Sequence, residues 1–134
     1  MDQLEKERLA NNVLTGLLAL VEAERLVNIN RPDVGTGSPE SLRQYSLALV
    51  VETAELLQEL DWRAWRVGKA IDRERVADEF ADILAFLGIL TMDVMAQAGL
   101  TEQDLAEAFT RKTDVNIARS QGKIAGYVNA AGGQ

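Results

Sequence analysis

Apolar residues in this chain recur every three or four positions in four blocks, with polar breaks between them. In the first block Leu9, Val13, Leu17, Leu20 and Val21 keep that spacing, which predicts a helix from about Gln3 to Asn28. The stretch NINRPDVGTGSP gathers Pro, Gly, Asn and Asp and reads as a loop. Ser38 then offers an N-cap hydroxyl, and Pro39 suits a first helical turn where no N–H is needed. A second helix is therefore predicted to about Leu60. The next segment, DWRAWRVGKAID, fits either a short helix or a turn, with Gly68 as breaker. Asp72 caps a long third helix to about Ala98, and Gly99 supplies its stop. Thr101 with Asp104 resembles a capping box and opens a fourth helix that fades near Gly122. The tail from about residue 123, ending GYVNAAGGQ, is expected to be mobile. With no convincing strand pair or repeat, the pattern predicts one all-α domain of the four-helix-bundle type over residues 1–134.

Polar residues interrupt these apolar faces where a plain core would not have them. On a helical wheel Tyr45, Ala48, Glu52, Glu55 and Glu59 share one stripe of the second helix, bordered by Leu49, Leu56 and Leu60. Leu47, Val50, Ala54 and Leu57 fill most of the opposite face. A helix apolar nearly all round needs cover on several sides, from partner helices or a second subunit. Self-association as a dimer or tetramer is the expectation. On the third helix Glu79 and Asp82 lie on the stripe of Val76, Ile83, Phe86, Leu87 and Leu90, where an unpaired charge would cost several kcal/mol. Acidic pairs at i, i+3 usually mark a solvated face with basic neighbours. Two pairs inside apolar stripes, each without a basic partner at i+4 toward the C-terminus, point instead to cations held between them.

Composition narrows the chemistry. The 134 residues include no cysteine and no histidine. Thiolate or Ser-His-Asp catalysis and Cys- or His-ligated zinc are therefore excluded. Oxygen ligands remain, which suit the hard ions Mg²⁺, Mn²⁺ or Ca²⁺. A net charge of −7 argues against a nucleic-acid surface. The opening MDQLEKERLANN lacks a signal-peptide pattern, and carboxylates interrupt every long apolar run, so no membrane segment and a cytoplasmic location are expected.

The fourth helix reverses the charge. In FTRKTDVNIARSQGK, Lys112, Asn116 and Arg119 share a face with Leu105 and Phe109, a stripe that fits either phosphate binding or a solvated amphipathic surface. Lys123 and Tyr127 follow, but Gly122 is expected to end the helix before them.

The order E-x-x-E, an interval, then E-x-x-D resembles the all-α nucleoside triphosphate pyrophosphohydrolases, the MazG-like proteins and dimeric dUTPases. Here those positions are Glu52, Glu55, Glu79 and Asp82 within ETAELLQELDWRAWR and ADEFADILAFL, and the likeness covers about Ser38 to Gly126. It implies metal-dependent hydrolysis of a (deoxy)nucleoside triphosphate to the monophosphate and pyrophosphate. The acidic residues would hold two or more Mg²⁺ or Mn²⁺ ions and carry catalysis. Lys112, Asn116 and Arg119 would contact the triphosphate. Trp62 and Trp65 fall where such proteins close over the nucleotide, so they would stack on base or sugar, or else pack between helices. The first helix lacks the Gln-and-Asn pattern expected for uracil, offering Asn11 and Asn12, of which Asn12 is the candidate base contact. A purine such as dGTP or dATP is expected on that ground. A pyrimidine substrate (dUTP or dCTP) and a non-catalytic helical module that oligomerises or binds a partner are the alternatives.

Overall fold

The computed structural model of the chain describes residues 1–66 and 68–123. Four helices run in the order α1 (Gln3–Val27), α2 (Pro39–Glu59), α3 (Arg73–Ala98) and α4 (Glu102–Ser120), with no strand among the described residues. The tail beyond residue 123, with Tyr127, lies outside them. No single described helix is long and apolar enough to cross a membrane.

Local chemistry sets the helix ends. Ser38 Oγ accepts the Ser41 N–H, and Pro39 follows it. Asp72 accepts the Glu74 and Arg75 N–H groups at the start of α3. Gly99 closes α3 in the left-handed conformation (φ 67°), which an L side chain resists. The predicted capping box is present: Asp104 N–H donates to Thr101 Oγ1 (3.2 Å), and Asp104 Oδ2 accepts the Thr101 N–H (2.8 Å). Those bonds, the Thr101 N–H first and its hydroxyl second, hold the Asp104 carboxyl below its usual range. Among the described residues of the ambiguous segment after α2, a turn stands at Ala64 and Trp65, Gly68 has φ 90°, and there is no helix.

The chain divides into two compact units, Met1–Gly16 with Thr101–Gln134, and Leu17–Leu100. In the first, Asp114 of α4 takes Lys6 Nζ at 2.8 Å and the N-terminal ammonium at 3.0 Å.

The second unit is built on an antiparallel seam between α2 and α3. Partner numbers fall along α3 as they rise along α2: Ser41 meets Asp93, Tyr45 packs with Ile89 and Phe86, and Glu59 pairs with Arg75. Positions 41, 45, 48, 52, 55 and 59 face, in that order, 93, 89, 86, 82, 79 and 75, alternating steps of three and four that keep one helical stripe on its partner. At the core Tyr45 stacks on Phe86 with ring centroids 6.1 Å apart, beside Val34 and Ile89. Val34 belongs to the α1–α2 loop, which Asp93 ties down. The fully buried Asp93 carboxylate accepts the Gly37 N–H at 2.8 Å and the Ser41 hydroxyl at 2.9 Å. Gly37 has φ 77°, and a Cβ there would sit 2.7 Å from Gln97 N. Only glycine fits. The C-terminal half of α1 crosses closely over α3 at Gly88, where a Cβ would meet Leu20 O at 2.9 Å and Glu24 Cγ at 2.8 Å.

Cover on α2 differs from what apolarity alone implies. The face of Leu47, Val50, Ala54 and Leu57 is exposed, Val50 to 65%, while the stripe carrying Glu52 and Glu59 is half-buried against α3. The seam selects which side is covered, and it selects the side with the carboxylates.

Candidate functional site

Between the aromatic core and the Glu59–Arg75 ion pair, the seam brings acid against acid. One carboxylate oxygen from each of Glu52, Glu55 and Glu79 lies within 4.8 Å of the others. The reason is the register: residues 52 and 55 of α2 fall opposite 82 and 79 of α3, and the i, i+3 spacing puts each pair on the facing stripe. Asp82 is exposed and lies outside this triad, yet its charge reaches Glu52.

Glu52 bears the strain of the arrangement. Burial pushes its carboxyl above the ordinary range, and the close carboxyl of Glu55 together with the charges of Asp82 and Glu79 pushes it further. Its Oε2 is covered and has no hydrogen-bond partner among the described residues. A buried oxygen of that kind costs about 1–3 kcal/mol when nothing pairs with it. Among the described residues, ion pairs to α2 and α3 carboxylates are confined to Glu59, whose Oε1 meets Arg75 Nη2 at 2.8 Å, so no basic side chain pairs with the triad. A hard cation satisfies all three oxygens at once, and the oxygen-only donor set fits Mg²⁺ or Mn²⁺.

The other sequence candidates belong to segments outside α2 and α3. Lys112 and Asn116 are exposed on α4; Arg119 is half-buried, with its Nε covered and unpartnered among the described residues. Phe109, on the same stripe, is 53% exposed. These residues, and the exposed Asn12 of α1, belong to the first unit. Trp62 and Trp65 pack edge to face, centroids 6.0 Å apart, and the Arg63 guanidinium lies 5.2 Å from the Trp62 ring centre. One face of Trp62 is thus already taken, while Trp65 is 77% exposed.

Pattern reading on single helices missed two buried acids of the second unit. Asp93 serves the loop described above. Glu24 is buried beside Gly88, with its Oε2 accepting from Asn28 Nδ2 at 3.2 Å; burial raises its carboxyl and the Asn28 bond partly offsets that. A signal existed for Asp93, which continues the spacing of Glu79, Asp82, Phe86 and Ile89.

Residues 28–97 match the model of the protein family described as dUTPase. The matched stretch holds all of α2 and nearly all of α3, including the four acidic positions, and Lys112, Asn116 and Arg119 lie beyond it. No curated protein and no solved structure matches the chain.

Proposed function

Because the chain belongs to the all-helical, MazG-like dUTPase family, we propose that it cleaves deoxynucleoside triphosphates between the α- and β-phosphorus, giving the monophosphate and pyrophosphate. The observation that carries this reading is the triad of Glu52, Glu55 and Glu79, three converging carboxylates with an orphaned buried oxygen.

Glu52, Glu55, Glu79 and Asp82 would hold the divalent ions. When bound, such ions neutralise phosphate charge and acidify a water. The protein's own groups supply position and proton handling. Glu59 is engaged by Arg75, which leaves Glu52 and Glu55 to orient the attacking water and accept its proton. Lys112 would donate to the triphosphate as a point charge, Arg119 through its forked guanidinium and Asn116 through its amide. Trp62 and Trp65 would border the base or sugar, with the free face of Trp65 as the stacking surface, and Asn12 would contact the base.

The first helix favours a purine, dGTP or dATP. The match to a family described as dUTPase favours a second reading, dUTP. The exposed Leu47–Val50–Leu57 face of α2 supports self-association as dimer or tetramer, and a cytoplasmic location goes with this chemistry. All (d)NTPs assayed in parallel with Mg²⁺ or Mn²⁺ test the proposal, with products resolved by chromatography. Orthophosphate plus diphosphate in place of pyrophosphate plus monophosphate would refute it. Failure of millimolar Mg²⁺ or Mn²⁺ to bind or raise the melting temperature would favour the non-catalytic module instead.

A further inference from the structure

The chain is acidic, with net charge −7, yet its turn segment is not. Beyond the C-terminus of α2 lies a cavity of about 450 Å³ lined by Leu57, Asp61, Trp62, Arg63, Arg66 and Lys69, among others. Three cations share it with one carboxylate, and Asp61 Oδ2 is already used by the Gly68 N–H at 3.3 Å. Arg63 is laid over the Trp62 ring, which fixes its guanidinium plane and leaves its edge N–H groups to donate. Arg66 and Lys69 are exposed and make no ion pair among the described residues. The start of α3 cannot serve as the anion site, because Asp72 caps its N–H groups itself. The side chains must therefore supply the attraction.

We infer that the Arg63–Arg66–Lys69 pocket binds an oligophosphate through residues other than those of the acidic triad. Three cations lining one cavity match several negative charges better than one. Anion binding here rests on charge and shape alone, while its part in turnover rests on the hydrolase reading above. The same chemistry has two sources, the phosphate tail of a substrate or released pyrophosphate.

Trp62 and Trp65 are the protein's two tryptophans, so intrinsic fluorescence reports on this pocket directly. The full chain in EDTA is titrated with sodium pyrophosphate, and with NaCl at matched ionic strength. A saturable change with pyrophosphate alone is expected. Arg66→Gln/Lys69→Gln should weaken it about tenfold or more, the loss expected for removing charge-assisted hydrogen bonds. Glu79→Gln should leave it unchanged. The single variant Lys69→Gln, with circular dichroism on each protein, guards against misfolding. No saturable change, equal affinity in both charge variants, or loss in Glu79→Gln overturns the inference. Kinetics then separate the sources. A raised KM for nucleotide at constant kcat identifies the substrate tail; loss of pyrophosphate inhibition at constant KM identifies the product. If the wild type turns over no nucleotide, the hydrolase reading falls alone, and the titration still decides the pocket.

Discussion

Replacing Glu79 by Gln should move stability in opposite directions with and without metal. Without metal, the substitution removes one charge from three whose oxygens lie within 4.8 Å of one another. Each pair at that distance repels by about 0.9 kcal/mol in a water-like dielectric, and more where burial lowers it. Glu79 takes part in two pairs, so relief approaches roughly 2 kcal/mol. Proton uptake by Glu52, whose carboxyl is already raised chiefly by burial, reduces the gain to about 1–2 kcal/mol. For a domain of this size that is a rise in melting temperature of about 3–6 °C. With metal the order inverts. At a free ion concentration of a hundred times Kd, the wild type gains about 2.7 kcal/mol. The variant, short of one ligand, should gain a small fraction of that. Thermal melts followed by circular dichroism, in EDTA and across a Mn²⁺ titration, read both effects. A variant less stable than wild type in EDTA, or one with the full metal gain, would refute the triad as a site held together against its own charge.

Asp93→Ala leaves the Gly37 N–H and Ser41 hydroxyl without their acceptor in a buried site. The expected cost is about 2–4 kcal/mol by denaturant unfolding, with Asp93→Asn milder because one oxygen survives. Gly88→Ala should destabilise by about 1–3 kcal/mol despite alanine's better helix propensity, since its Cβ would press on Leu20 O at 2.9 Å; a higher melting temperature would show that α1 yields at that crossing. Glu24 has its carboxyl raised by burial above 4.5, so its charged form is penalised in the fold. That penalty is full at neutral pH, shrinks as pH falls through the raised folded value, and vanishes below the unfolded one. Glu24→Gln should therefore raise stability at pH 7 and lose its advantage toward pH 4, as read from urea midpoints across pH; a constant difference would sink the assignment.

The helices were legible because their signals are local. Ser38–Pro39, Asp72, Gly99 and Thr101 with Asp104 stop and start helices through bonds to neighbours within four residues, and the predicted ends agree with the observed ones to within a residue or two. The two acidic pairs were legible for the same reason. A period near 3.5 shows that Glu52 and Glu55 share a side, as do Glu79 and Asp82; the cover on those sides is partial, with Glu52 and Glu79 half-buried and Glu55 and Asp82 exposed.

Which side meets which is a property of two helices together, and one helix's periodicity does not contain it. Helix α2 is apolar on both flanks, so hydrophobicity alone did not choose between burying Val50 or Glu52. The antiparallel register chose, by docking Tyr45 on Phe86 and locking Ser41 to Asp93, and that choice carried Glu52 and Glu55 against Glu79 while leaving Val50 outside. The same register separated Glu59 from its acidic neighbours by giving it Arg75. Residue types and spacings determined that Glu52 and Glu55 share one side of α2, and Glu79 and Asp82 one side of α3. Only the packing of α2 on α3 decided that three of them converge, because repulsion among like charges is offset by contacts several turns away.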